Sequence, residues 1–542
     1  MYGSHPSFRE TAMPRPAPTA LRRFAAAVCL AGAAAAPAHA QPAATGDARP
    51  AATLPDTPLG RLGQRLVEVV NAGDSAAVGR FVDAHLAGSA MPDGDPGTRR
   101  RTLVALHAQS GGLDVERARM AGPALRVFAR ARRAPRLVGL ELVPAPGDTT
   151  RLAEIGVHPM DPARMGAPPA PWAAGPLTDD SVAAVVRRRV RQAADSDEFS
   201  GVVLVAHGDR VLVHEAVGFA DRERRLPNTH ATKFYTTSVG KMFTGVAVAQ
   251  LVRAGRLAFD DTLARVLPDY PNRDAARRTT IRQLLTHTAG APEPFLAARF
   301  GAVPAGAPHD AILATFADAP PAFAPGTRHE YSNGNYAALA AVVERLSGVR
   351  YEDYLRRHVW APAGMRHVAA PVRAAAPDLA VAYARFRDRD PLGLEPRTAA
   401  ALPGLARLGV LRGFGGGAYA AEDLFRFARA LRTGRLLGPA LTDSLVAGRV
   451  DAGVGGPVRY GFGVYEQRVA GGVRVVGHPG SNPNTGWDAD VEMVWDADWT
   501  VVVLSNYDAP AGLALARPIV ELVARQPAGH AAPVATRAAV RR

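Results

Sequence analysis

Cysteine is almost absent from this chain of 542 residues, which contains a single one, Cys29. That residue lies in an apolar run, 24–37, which follows Arg22-Arg23 and precedes Ala38-His39-Ala40. A basic start, a short apolar run and an A-x-A site are typical of a secretory signal peptide, so we expect cleavage after Ala40. The remaining chain would hold no thiol, disulfide or cysteine-based metal site, and the sequence predicts a periplasmic or secreted protein.

Long apolar runs are also lacking, because no later stretch reaches the ~18 uninterrupted apolar residues of a membrane-spanning helix. Aromatic residues make up 6% of the chain, and none interleaves with the basic runs 99–101 and 187–189. The net charge is +14, yet without aromatic residues or a nucleic-acid motif these runs indicate solvated helix faces. We therefore expect neither a membrane span nor a nucleic-acid partner. The sequence leaves the oligomeric state open.

Lysine is scarce, since only two of the 64 basic residues are lysine and the rest are arginine. One of the two, Lys241, follows Ser238 by three residues. Arginine keeps its proton in proteins, whereas a desolvated lysine can lose it near neutral pH. Positions i and i+3 share a helix face, so this spacing places an amine over a serine hydroxyl, as a Ser–Lys nucleophile requires. The S-x-x-K pattern alone is weak, and the chemistry depends on its partners.

Changes in composition divide the chain into six segments. They are a signal peptide (1–40), a Pro/Ala-rich spacer (41–55), a small unit (56–160), a Pro/Ala/Gly-rich linker (161–176), a large unit (177–526) and a disordered basic tail (527–542).

The small unit begins with two amphipathic stretches, 59–71 and 74–85, with Gly73 as a C-cap and Asp74 as an N-cap. Alternating runs at 124–131, 137–144 and 150–157 predict an antiparallel sheet. Helices followed by a sheet predict a small α+β domain, which resembles the cone-shaped fold of the nuclear-transport-factor/SnoaL-like group.

The large unit has strand patterns at both ends. Runs 202–206 and 211–215 predict a hairpin, and 474–476, 490–495 and 500–505 predict further strands around a mostly helical middle. This order predicts an α+β (α/β sandwich) fold, in which an antiparallel sheet is flanked by helices and an all-helical subdomain is added.

Three short motifs follow one another in the large unit: Ser238-Val239-Gly240-Lys241, Tyr331-Ser332-Asn333 and His478-Pro479-Gly480. Their order resembles S-x-x-K, Y-x-N and K-T-G or H-x-G of the serine β-lactamase and penicillin-binding superfamily, and in particular its class C-like esterases and peptidases. Segments 279–290 and 415–424 are similar to that superfamily's "TIRQLLTHTSG" and "GGxYSTAEDL". The resemblance covers about residues 180–525.

The resemblance implies a role for each motif residue. Ser238 would be the acylated nucleophile, and either Lys241 or Tyr331 would first take its proton. Asn333 would bind Lys241 or the substrate amide. The segment of Gly480, an edge strand, would bring the backbone N–H of Ser481 to the oxyanion hole, with His478 beside the substrate. His287, in the first of the two flanking segments, would pack under the site. No metal or organic cofactor is needed.

The third motif departs from the pattern, because His478 and Pro479 stand where β-lactamases usually carry lysine and threonine. Histidine is mostly neutral near pH 7, so the site has less demand for an anionic substrate. We therefore expect an exported serine hydrolase that cleaves a small-molecule or peptide ester or amide. A β-lactamase or D-Ala-D-Ala carboxypeptidase, and a non-catalytic peptidoglycan- or ligand-binding protein, are the alternatives. Residues 293–320 are expected to form a variable lid.

Overall fold

The computed structural model describes residues 54–86, 96–121, 124–134, 136–145, 148–160, 172–173, 175–294, 303–304, 307–369, 378–385, 389–400, 413–452, 457–482 and 485–526. The predicted signal peptide, the basic tail, and nearly all of the spacer and the linker lie outside the described residues. Among the described residues, no helix combines the length and the apolar character needed to cross a bilayer.

The described part of the N-terminal unit (54–160) contains three helices and a four-stranded antiparallel sheet in the order β1-β2-β3-β4. Its elements are α1 (Pro58–Ala72), α2 (Ser75–His85), α3 (Pro96–Ser110), β1 (Leu113–Ala121), β2 (Ala124–Ala131), β3 (Leu137–Ala145) and β4 (Asp148–Met160). The predicted caps are confirmed: Gly73 ends α1 at a φ of 69°, and the Asp74 side chain accepts a hydrogen bond from the backbone N–H of Ala76.

Two elements of this unit, α3 and β1, were not predicted. The basic run 99–101 lies on α3, where Arg99 is 8% exposed and faces Glu154 of β4 at 3.9 Å, so this arginine does not belong to a solvated face. Arg100 and Arg101 keep the solvent contact that the sequence suggested. The resemblance to the cone-shaped fold stays a prediction.

The large unit is built around an eight-stranded antiparallel sheet in the order β13-β14-β15-β16-β17-β18-β5-β6. Its strands are β5 (Gly201–His207), β6 (Arg210–Val217), β13 (Val450–Asp451), β14 (Val458–Tyr460), β15 (Tyr465–Arg468), β16 (Arg474–Asn482), β17 (Trp487–Val494) and β18 (Trp499–Ser505). The predicted hairpin is formed by β5 and β6. The first strand of the unit pairs with the last, with Val203 opposite Val503.

Helices cover both faces of this sheet, which explains why β5 is buried from Gly201 to Ala206 and β18 along its whole length. Even-numbered residues such as Val202 and Leu204 pack into the core of the helical subdomain. Odd-numbered residues such as Val203 and Val205 pack against two helices near the ends of the unit, α4 (Asp179–Asp195) and α15 (Leu513–Ala524). The predicted antiparallel sheet flanked by helices, with an added all-helical subdomain, is confirmed.

The remaining elements lie between the two ends of the sheet. They are β7 (Phe219–Asp221), β8 (Leu226–Pro227), β9 (Phe234–Tyr235), a 3-10 turn (Thr237–Val239), α5 (Gly240–Arg253), α6 (Leu263–Val266), α7 (Arg273–Arg278), α8 (Ile281–Leu285), α9 (His309–Leu313), α10 (Asn333–Ser347), α11 (Tyr351–Leu355), a π turn (Arg356–Trp360), α12 (Ala361–Ala363), β10 (Tyr383–Ala384), β11 (Thr398–Ala399), β12 (Ala418–Tyr419), α13 (Ala421–Arg432), α14 (Pro439–Val446), and 3-10 turns at Ala470–Gly472 and Trp495–Ala497.

A segment of the large unit, residues 389–400, joins the hydrophobic core of the N-terminal unit. Leu392 is fully buried among that unit's apolar side chains. Gln109 of α3 accepts a hydrogen bond from the Leu392 backbone N–H at 3.1 Å and donates to Asp390 Oδ1 at 2.9 Å. The two units therefore share core residues across their boundary.

We expect Leu392→Ala to lower the free energy of unfolding by about 2–5 kcal/mol, because it leaves a cavity in a shared core. Leu394 is the matched control, since it lies two residues away and is 45% exposed. Leu394→Ala should change stability by about 0.5 kcal/mol or less. Urea denaturation of both variants measures the difference, and equal effects would contradict the shared core.

Candidate active site

Ser238 lies in the tight turn that leads from β9 into α5. The residue before it, Thr237, has a φ of 44°, a conformation that a β-branched side chain rarely adopts. The backbone N–H of Gly416 donates to the Thr237 carbonyl at 3.3 Å, and a Cβ on Gly415 would lie 2.4 Å from the same oxygen. The glycine-rich segment 415–417 thus packs on the turn more closely than any other residue would allow, and it holds Ser238 in place.

Lys241 is fully buried in the first turn of α5, and its Nζ contacts three oxygen atoms. The distances are 3.0 Å to Ser238 Oγ, 2.8 Å to Asn333 Oδ1 and 2.7 Å to the carbonyl oxygen of Phe414. Burial holds the pKa of Lys241 well below its usual range, and the Glu293 carboxylate opposes this shift in part. A neutral amine has two N–H donors and one lone pair. Because the amide oxygen and the carbonyl can only accept, the lone pair is left for Ser238.

Tyr331 completes a cluster with Ser238 and Lys241. Its hydroxyl is hydrogen-bonded to Ser238, and Lys241 Nζ lies 4.6 Å from the centre of its ring. The ring keeps part of its surface exposed, but burial of the hydroxyl raises the pKa of Tyr331 well above its usual range. Tyr331 is therefore a phenol near neutral pH, where Lys241 is the more readily deprotonated of the two.

Asn333 begins α10, behind an N-cap formed by Ser332, whose Oγ accepts from the backbone N–H of Gly334. Its side chain lies between Lys241 and Glu293. The Glu293 carboxylate accepts from the Asn333 backbone N–H at 2.8 Å and from Asn333 Nδ2 at 3.2 Å. The predicted contact between Asn333 and Lys241 is present, and a carboxylate not identified from the sequence stands behind it.

His287 lies under Tyr331, with the two ring centres 4.3 Å apart. Its Nδ1 accepts from the Ser332 backbone N–H at 3.2 Å, so the ring is bonded to the segment that carries Tyr331 and Asn333. Burial lowers the pKa of His287 well below its usual range. These contacts fit the packing role that the sequence suggested.

His478 lies on β16 and is 1% exposed. Its Nδ1 is 2.6 Å from the Pro479 carbonyl oxygen, and its Nε2 is 3.2 Å from the Tyr460 hydroxyl. Because a carbonyl only accepts, we assign the proton to Nδ1. Burial, aided by Lys241, lowers the pKa of His478 to about 3. The third motif therefore presents a neutral ring to the site.

Gly480 packs against the turn of Ser238, because a Cβ at this position would lie 2.0 Å from the Thr236 carbonyl oxygen. The expected edge is present at the Gly480 segment: β16 as a whole lies inside the sheet, but β15 pairs with it only as far as Gly477. From His478 onward the partner of β16 among the described strands is β17, with Ser481 opposite Asp488. The edge that β15 leaves open lies beside the serine turn, because pairing on that side stops before Gly480.

The sequence-predicted residues therefore fall into two groups. Ser238, Lys241, Tyr331 and Asn333 form one hydrogen-bonded cluster. Residues of the third motif (His478, Gly480 and Ser481) reach it through β16, and the rings of His478 and Tyr331 are 6.3 Å apart.

Two contributors were missed by sequence reasoning. The Phe414 carbonyl carries no sequence signal, because any residue supplies one. Glu293 did offer a signal, since it is a carboxylate between two prolines, Pro292 and Pro294, but it was interpreted only as part of the lid segment 293–320.

A sandwich of helices around an antiparallel sheet, with a serine, a buried lysine and a tyrosine in one hydrogen-bonded cluster, defines a serine hydrolase. Residues 186–526 match the protein family described as Beta-lactamase, which is more than half of the chain. The chain belongs to that family.

The chain is similar both to a protein named as an esterase and to proteins named as penicillin-binding proteins. Esterase EstB of Burkholderia gladioli is 32% identical over 355 residues, which covers 57% of this chain and 87% of that protein. Penicillin-binding protein 4* of Bacillus subtilis is 27% identical and covers 58% of this chain and 69% of that protein. The crystal structure of a penicillin binding protein from Bacillus halodurans superimposes with a TM-score of 0.52 at 28% identity, covering 61% and 96% of the two chains.

The buried neutral His478 predicts a pH-dependent stability. The unfolded chain takes up a proton at this residue below about pH 6.5, whereas the folded ring stays neutral to about pH 3. The stability that the neutral ring provides is therefore complete above pH 6.5 and is lost as the pH falls toward 3. His478→Gln should make the fall in unfolding free energy shallower by on the order of 1 kcal/mol per pH unit in this window. Equal slopes of unfolding free energy against pH for the two proteins would contradict the buried neutral state of His478.

Proposed function

We propose that this protein is an exported serine hydrolase that cleaves an ester or amide through an acyl-Ser238 intermediate. The observation that carries the proposal is the buried amine of Lys241, which lies 3.0 Å from Ser238 Oγ and has acceptor-only partners for both N–H groups of its neutral form. The apolar segment near the N-terminus supports export, because its pattern is that of a signal peptide.

The first half of the reaction uses Lys241 as the base. Nζ takes the proton from Ser238 Oγ as that oxygen bonds to the substrate carbonyl carbon, whose oxygen becomes an oxyanion. The backbone N–H groups of Ser238 and Ser481 would stabilise this charge. When the bond to the leaving alcohol or amine breaks, the leaving group takes a proton from Lys241 or from the Tyr331 hydroxyl. Water then attacks the acyl group, releases the acid and restores Ser238.

The third motif supports an ester or amide substrate that needs no anionic group for binding. His478 is neutral and spends both ring nitrogens on Pro479 and Tyr460, so it offers no cation to a substrate carboxylate. Glu293 adds a negative charge near Lys241. A β-lactamase or D-Ala-D-Ala carboxypeptidase is the second candidate, favoured by the similarity to penicillin-binding proteins. A binding protein without catalysis is the third, but it would have no use for a deprotonated lysine beside the serine.

Lys241→Arg should fail to acylate Ser238, because a guanidinium cannot act as a base, and far-UV circular dichroism checks that the variant has folded. Incubation with a fluorophosphonate probe, followed by mass spectrometry, should add mass to Ser238 of the native protein and not to this variant. The other lysine gives a matched control: Lys233 is ion-paired with Asp378, and Lys233→Arg should label at the native rate. Equal labelling of Ser238→Ala, or near-full labelling of Lys241→Arg, would contradict the mechanism.

Because His478 provides no cation at the third motif, the protein should prefer substrates without a carboxylate. We expect turnover of p-nitrophenyl esters and little turnover of the cephalosporin nitrocefin, whose carboxylate finds no cationic partner at His478. Steady-state kcat/KM for both substrates measures the preference. A higher value for nitrocefin would favour the β-lactamase alternative, and stable binding of either compound without product would favour the binding protein.

A further inference from the structure

We infer that Glu293 is a positioning residue that sets the orientation of the Asn333 amide and thereby turns the lone pair of Lys241 toward Ser238. The inference rests on the proposed function, and it adds a residue that lies in the segment expected to form a lid. It follows from the polarity of each atom in a chain of contacts that runs from Glu293 through Asn333 and Lys241 to Ser238.

The first step is the pair of hydrogen bonds by which Glu293 holds Asn333. One carboxylate oxygen accepts from the Asn333 backbone N–H at 2.8 Å, and the other accepts from Nδ2 at 3.2 Å. The two ends of an amide have nearly the same shape but opposite polarity. A carboxylate can only accept, so it must face Nδ2. Because the same carboxylate is also held by the backbone, it fixes both the place and the direction of the side chain.

The second step is the effect on Lys241. With Nδ2 turned to Glu293, Oδ1 faces Nζ at 2.8 Å and takes one N–H, while the Phe414 carbonyl takes another. The lone pair of the neutral amine is then directed at Ser238. If the amide turned over, Nδ2 would donate to Nζ and occupy that lone pair. Lys241 would stay close to Ser238 but could not accept its proton.

The charge of Glu293 gives a second consequence, which a purely steric role would not produce. Among the described residues, five ionisable groups face Lys241: Glu293 and His287 from the segment after α8, Tyr331 from the Y-x-N motif, Tyr336 from α10 and His478 from β16. Both histidines are held neutral by burial, and both tyrosines are held protonated. Glu293 is therefore the group in this set whose negative charge raises the pKa of Lys241.

The experiment compares the native protein with Glu293→Gln. Single-turnover acylation by a p-nitrophenyl ester is measured against pH. The active form of Lys241 is the free base, so the acid limb of the profile follows its pKa. Loss of the carboxylate should lower the plateau rate by on the order of tenfold to a hundredfold, because the amide is no longer fixed. It should also move the acid limb to lower pH, because the pKa of Lys241 falls.

The direction in which the acid limb shifts distinguishes loss of a positioning residue from a general loosening of the site. A site that admitted water would let the pKa of Lys241 rise toward its usual range, and the limb would move to higher pH. A plateau within about twofold of the native rate, or a limb that stays or moves to higher pH, overturns the inference.

Two further variants keep the test decisive. Glu330→Gln is the matched control, because Glu330 precedes Tyr331 but is exposed and paired with Arg328, and its loss should leave rate and limb unchanged. Glu293→Asp keeps the charge with a shorter side chain, so it should hold the limb in place with a smaller loss of rate, even if Glu293→Gln fails to fold. Absence of acylation in the native protein would overturn the proposed function itself, whereas native acylation with an unchanged Glu293→Gln profile overturns this inference alone.

Discussion

The site depends on one buried amine. Lys241 is held in the core by three oxygen atoms from three separate parts of the chain, and burial removes the water that would otherwise keep it protonated. The surrounding structure meets this condition: the 3-10 turn and the start of α5 bring Ser238 and Lys241 together, α10 supplies Asn333, and Phe414 precedes the glycine segment. A lysine that reached solvent would keep its proton and could not activate the serine.

The same condition explains the electrostatics of the neighbours. A cation at the third motif would face a fully buried site that already contains an amine. His478 avoids this conflict because it remains neutral, with its two nitrogens bonded to Pro479 and Tyr460. The tyrosines that line the site stay protonated for the same reason. The site is therefore a set of oriented dipoles around a neutral base, with the Glu293 carboxylate bonded to Asn333 on the side away from Lys241.

Local sequence patterns were sufficient to predict part of the site and of the fold. Ser238 and Lys241 are three residues apart, in a 3-10 turn and the first turn of α5 that follows it, so their contact could be read from spacing, and the order of the motifs brought in Tyr331 and Asn333. Contacts between distant segments produce no local sequence pattern and could not be predicted in this way. Glu293 and Asn333 are forty residues apart in sequence. Leu392 reaches the core of another unit, and helix α3 was missed because its few apolar residues, among them Leu103 and Leu106, form no clear amphipathic pattern.

The pairing of β5 with β18 has a consequence for the order in which the molecule can be completed. The two strands lie side by side although about three hundred residues separate them, so the sheet consists largely of long-range contacts. Strands β13 to β18 follow the helical subdomain in the chain and are synthesised after it. Ser238 and Lys241 are made long before the strand that carries Gly480. A chain that stops before residue 474 would contain the serine and the lysine, but not the strand against which their turn packs.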